Sequence, residues 1–124
     1  MRKPKSIRVL LKRPGKPFKT VYFDFSKENI LEYFGTYSLE DVYSMKCLLC
    51  KTAYVMNTFN SDKRNCDVFH YPFSGPLLFV GEKQDGTLTD IIDSDIDVIK
   101  YWTLSPSENT KKKRVQGGKW LWEL

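Results

Sequence analysis

Histidine occurs once in these 124 residues, at His70, and cysteine only three times. One imidazole leaves little material for the acid–base pairs and His-rich metal centres that most hydrolytic and redox sites use. An odd cysteine count argues against a secreted disulfide framework. No apolar run approaches the roughly 20 residues a membrane helix requires. The basic N-terminus leads into a charged strand instead of an apolar signal core. Glycine-rich phosphate loops are missing too, because Gly75 and Gly81 flank a strand and do not open a helix. What is left is one soluble, cytoplasmic domain, long enough for one core and too short for two.

Carboxylates are absent from residues 1–19, which carry eight cations. Residues 20–104 hold seven basic and thirteen acidic side chains, a net of −6, and residues 105–124 hold five basic and two acidic, a net of +3. The overall +5 therefore hides basic flanks around an acidic middle. Basic flanks attract phosphate and acidic protein surfaces alike, whereas the middle repels a polyanion laid across it.

The clearest structural unit spans residues 73–90. The run Leu77, Leu78, Phe79 and Val80 leads through Gly81 to Asp85-Gly86, a hairpin-turn dipeptide, and Thr87, Leu88 and Thr89 return as a strand. Upstream, Ile7, Val9 and Leu11 alternate with Arg8, Leu10 and Lys12. Pro14-Gly15 turns the chain, and residues 18–25 alternate again with Phe18, Val21, Phe23 and Phe25 inward. Ser26 is placed to cap a two-turn helix carrying Ile30, Leu31 and Phe34 and stopped by Gly35. Residues 37–43 fit either a strand or a helical turn. Residues 47–56 read as a buried strand and residues 57–65 as a loop. Ser94, Asp95 and Asp97 suit a helix start, with Ile96, Ile99 and Trp102 on its buried face. The expected fold class is α+β: a single domain over residues 1–104, mainly an antiparallel sheet of five or six strands. Two short helices lie on one side of it, and a basic C-terminal extension covers residues 105–124.

Three groups of residues carry candidate chemistry. Arg8, Lys12 and Arg13 belong to the N-terminal cluster, and Arg8 and Lys12 share parity on one strand, which predicts a common exposed face. That face suits phosphate or acidic partners, or serves simply to protect a sheet edge. Lys111, Lys112, Lys113 and Arg114, followed by Trp120 and Trp122, can track a nucleic-acid backbone and stack bases. The same tail also reads as a solvated run whose tryptophans dock back on the core. Cys47, Cys50, Cys66 and His70 have a content that zinc accepts, but an extended strand turns residues three apart to opposite faces, and a knuckle Gly or Pro is missing. Neither metal nor cofactor is expected, and the carboxylates around Asp93 read as capping groups, so the chain is expected to be non-catalytic.

Pro14-Gly15-Lys16, residues 31–37, residues 55–57, the Gly75–Gly81 segment GPLLFVG and Leu88-Thr89-Asp90 occur in an order that resembles a known pattern. It is that of a small domain family of unknown function common in phages, plasmids and integrative elements of gut Firmicutes and Bacteroidetes. The resemblance covers residues 7–102. Gly35-Thr36 stands where the family usually has paired glycines, and the loop after Asn57 lacks the usual acid-glycine turn. The resemblance brings no catalytic residues. It implies an accessory protein of a mobile element, of the kind that binds and disables host machinery. The expected partner is a host defence protein or nucleoprotein complex, such as a CRISPR nuclease, with direct DNA or RNA binding as the alternative.

Overall fold

The computed structural model describes residues 6–59 and 61–104. Along them run β1 (Ser6–Lys12), β2 (Lys19–Asp24), α1 (Lys27–Phe34), β3 (Val42–Lys46), β4 (Ala53–Thr58) and β5 (Arg64–Val68). They are followed by β6 (Tyr71–Ser74), β7 (Leu77–Glu82), β8 (Leu88–Thr89), α2 (Asp93–Tyr101) and β9 (Thr103–Leu104). The main sheet has the order β2-β1-β7-β4-β3 with β8 paired to β7, and a smaller sheet has the order β6-β5-β9. Every pairing is antiparallel. The α+β class and the six-stranded main sheet agree with the sequence expectation; the second sheet is additional. Among the described residues no helix is long and apolar enough to cross a membrane.

The main sheet is buried on both faces, which explains the unbroken apolar run of β7. Val9, Leu78 and Val80 meet Tyr33 and Phe34 of α1 on one face. Leu10, Val55, Leu77 and Phe79 point the other way, onto α2 residues Ile96 and Ile99 and the small sheet's Cys66, Val68 and Phe73. The two helices thus lie on opposite faces, a correction to the expectation of a shared side. A six-stranded sheet this apolar needs cover on both surfaces, and one short helix covers only one.

Several local signals act as the residue types dictate. The Ser26 hydroxyl accepts from the Asn29 N–H at 3.2 Å, and the Gly35 N–H closes α1 on the carbonyls of Leu31 and Glu32. Residues 37–43 resolve into both options: a 3-10 turn at Leu39–Asp41, then strand from Val42. The hairpin turn of β7 and β8 forms through Gly86 N–H to the Lys83 carbonyl at 2.9 Å and Lys83 N–H to the Thr87 carbonyl at 2.8 Å.

Two segments depart from the expected strand and loop. Residues 47–52 turn instead of extending, because Asp95 collects their amides. Its carboxylate, 1 % exposed, accepts from the N–H groups of Lys51 at 2.8 Å, Thr52 at 2.9 Å and Ala53 at 3.1 Å. A carboxylate that accepts three backbone donors is held far more firmly than one that caps its own helix. Helix α2 accordingly starts at Asp93 without a side-chain cap. Asn57 and Asn65, assigned to a loop, lie in β4 and β5 and are buried. Asn57 Nδ2 donates to the Ser74 and Pro76 carbonyls, each at 2.9 Å, and Asn65 Nδ2 to the Lys12 and Gly75 carbonyls, each at 2.8 Å. Together they fix the turn between β6 and β7. At its centre Gly75 has φ +79°, and a Cβ there would sit 2.7 Å from the Ser61 Cβ.

The turn between β5 and β6 places Phe69 at φ +52° and His70 at φ +67°. Tight two-residue hairpins ask for such angles, which glycine or asparagine adopt more cheaply. Trp102, expected on the buried face of α2, stands beyond the helix and is partly exposed, with its ring against Phe69, His70 and Tyr101.

Asp95→Ala leaves three amides without an acceptor, and urea unfolding is expected to show a loss on the order of 3 kcal/mol, with Asp95→Asn intermediate. His70→Gly relieves a left-handed residue on an exposed turn and is expected to raise stability by about 1 kcal/mol in the same titration.

Candidate functional site

The site begins at the turn joining β1 to β2. Lys16 N–H donates to the Arg13 carbonyl at 3.0 Å, and Gly15 takes φ +75° after Pro14, the residue pair that a type II turn requires. This turn lifts Arg13 and Lys16 off the sheet and brings Lys19 beside them. The three line a depression of about 340 Å³ floored by Leu11, Pro17 and Phe18. Arg13 lies over the Tyr33 ring, its guanidinium carbon 4.6 Å from the ring centroid.

Tyr33 holds this corner from below. Its hydroxyl donates to the Leu77 carbonyl at 2.6 Å, and burial pushes its pKa up to about 12, with the Arg13 charge opposing. The ring therefore stays neutral and presents an electron-rich face to the guanidinium. Arg13, Lys16 and Lys19 are exposed, and among the described residues the ion pairs are Arg8 with Asp93 and Arg64 with Asp67. Three cations around an apolar floor, with no carboxylate among the described residues paired to them, form an anion-attracting surface.

Of the residues singled out in the sequence, Arg13 alone among Arg8, Lys12 and Arg13 belongs to this surface. Arg8 and Lys12 do share a strand face, but that face is covered, which corrects the expectation of an exposed pair. The Arg8 Nη2 donates to the Ile91 carbonyl and to Asp93 Oδ1, both at 2.7 Å, and its main-chain N–H to Asp90 Oδ1 at 2.9 Å. Lys12 is 7 % exposed, with Nζ 3.2 Å from Asn65 Oδ1. Neither protects an edge, since β1 lies between β2 and β7. Lys16 and Lys19 went unrecognised. Their signal was present in the Pro14-Gly15 turn, which folds both cations back toward Arg13. Lys111, Lys112, Lys113, Arg114, Trp120 and Trp122 lie outside the described residues.

The cysteines and His70 do not converge. Cys66 is fully buried in the core between the sheets, whereas His70 is exposed on the turn between β5 and β6. Among the described residues no three His, Cys, Asp or Glu side chains are placed to hold a metal ion. Cys47 and Cys50 are neighbours across the Leu48-Leu49 turn, and Leu49 takes φ +63°. Burial, followed by the negative charge of Asp95, pushes the Cys50 thiol up to about 11, and burial drives Cys47 up as well.

No family model matches this chain, and no curated protein or solved structure does.

Both thiols are protonated at neutral pH, the form with little nucleophilic or metal-binding power. The folded Cys50 value lies above its ordinary 9.0, so its contribution to stability is complete below pH 9 and declines as pH rises toward about 11. Alkylation by iodoacetamide at pH 8 is expected to be about tenfold or more slower at Cys50 in the folded chain than in urea, read by peptide mass spectrometry.

Proposed function

We propose that this chain is a non-catalytic binding protein of a mobile genetic element. In this reading it inhibits a host defence system, such as a CRISPR nuclease, by docking on an acidic or nucleic-acid-loaded surface of its target. The observation that carries the binding mode is the cluster of Arg13, Lys16 and Lys19 around an apolar floor, with no carboxylate paired to it among the described residues. Cations that no carboxylate among the described residues neutralises keep their charge available to a partner. The mobile-element setting rests on the resemblance carried by Pro14-Gly15-Lys16, the GPLLFVG segment and Leu88-Thr89-Asp90. A binding role also accords with how the chain uses its buried polar groups. Lys12 and Asp95 are each engaged in bonds between elements of the fold.

Direct nucleic-acid binding is the second reading, favoured by Phe18 within the same basic depression, where a base could stack between flanking cations. The two separate in one experiment. The tagged chain is recovered from host lysate with and without nuclease, and interference by a CRISPR nuclease is measured in cells carrying the chain. Inhibition is expected, with a stoichiometric nuclease partner that survives nucleic-acid removal. Both are expected to be lost in the Arg13→Glu, Lys16→Glu, Lys19→Glu variant. Undiminished interference, with only free nucleic acid bound and affinity falling steeply with salt, would replace it with the second reading.

A further inference from the structure

Strand β3 is an edge of the main sheet, and its free side can be read residue by residue. The Cys47 N–H donates to the Ala53 carbonyl and the Phe59 N–H to the Asp41 carbonyl, both at 3.0 Å. Odd-numbered residues of this strand therefore turn their main-chain groups toward β4, and Val42, Ser44 and Lys46 turn theirs outward. The Val42 N–H is taken by the Leu39 carbonyl. What remains without a partner along the edge, among the described residues, is the Val42 carbonyl and both main-chain groups of Ser44 and Lys46.

Natural edges are usually blunted by charge, proline or a bulge. Here the single cation of β3, Lys46, has its Nζ turned back 2.8 Å from the Cys50 carbonyl, and the strand pairs with β4 in unbroken register. Beside the edge lie Phe59, 68 % exposed and stacked on Tyr43, and Leu48, 64 % exposed. Leu48 and Tyr71 rim an apolar depression of about 270 Å³ into which Met45 faces. Among the described residues the opposite edge, β2, has one large exposed apolar side chain, Tyr22.

We propose that β3 pairs antiparallel with β3 of a second copy of this chain, about a two-fold axis at Ser44, joining two main sheets into one. The occupant follows from the charge order of the strand itself. Glu40, in the 3-10 turn that leads into it, and Lys46, which ends it, carry opposite charge, so self-pairing about Ser44 sets Lys46 of each copy opposite Val42 and beside the turn that carries Glu40 of the other. The outward groups match in the same register. The two Ser44 residues exchange N–H and carbonyl, and each Lys46 N–H meets the opposing Val42 carbonyl, giving about four main-chain bonds. On the other face Tyr43 lies opposite Met45 of the second copy, covering part of the apolar surface beside the edge.

Sedimentation equilibrium of the full chain reads this out, with a dimer of Kd about 10 µM or tighter expected. Ser44→Pro removes an N–H that none of the described strands of the same copy uses, so it is expected to leave the circular dichroism unchanged and weaken the dimer about tenfold or more. Glu40→Lys and Lys46→Glu singly set like charges side by side and weaken it, and the double reversal restores it. The charge variants decide the matter even where Ser44→Pro fails to fold. A chain monomeric at every concentration, or a dimer indifferent to all of these changes, overturns the proposal.

Discussion

The carboxylate of Asp95 and the amides it gathers set the geometry on which the rest of the fold depends. With Lys51, Thr52 and Ala53 all donating to it, the segment before β4 must turn, and β4 must begin at Ala53. That starting point sets the register of β3 against β4 and so the position of an edge of the sheet. The same bond seats the first turn of α2, whose Ile96 and Ile99 close the core between the sheets. A buried charge is costly unless every lone pair is used, and here backbone donors meet that demand without a second ionised partner.

Polar groups organise the other end of the core as well. Asn57 and Asn65 reach from neighbouring sheets to the carbonyls around Gly75, while Lys12 donates to Asn65 and Tyr43 to Asn57. Apolar packing alone tolerates small slips between the two sheets, because it has no directional component. Three amide hydrogen bonds to the consecutive carbonyls of Ser74, Gly75 and Pro76, with a fourth to Lys12, do not. The apolar clusters supply most of the driving force, and the asparagines select one arrangement of it.

Legibility in the sequence followed solvent exposure. The Ser26 and Gly35 boundaries of α1, the Pro14-Gly15 turn and the Asp85-Gly86 hairpin were readable because each rests on local chemistry that any environment preserves. Alternation was informative for β2, which has one wetter face, and weaker for β1, where consecutive Val9 and Leu10 are both buried. Strand β5 was invisible because Arg64, Asn65 and Asp67 give it a polar composition, and the burial of Asn65 depends on residues far along the chain. The same non-local causes hid the internal roles of Arg8, Lys12 and Asp95. A cation or carboxylate in sequence looks like surface until the group that neutralises or solvates it is known. The basic hairpin tip was half legible, since Arg13 was recognised while Lys16 and Lys19 were not.

The position of β7 has a further consequence in the time domain. It lies between β1, at the start of the chain, and β4, and it is bonded to both. A ribosome must therefore deliver the chain through Glu82 before β1 and β4 can be joined into one sheet. Until then the hairpins β1–β2 and β3–β4 each present an open, apolar inner edge, the kind of surface that chaperones shield and that non-native pairing exploits. The protein is thus most exposed to cellular quality control while it is being made.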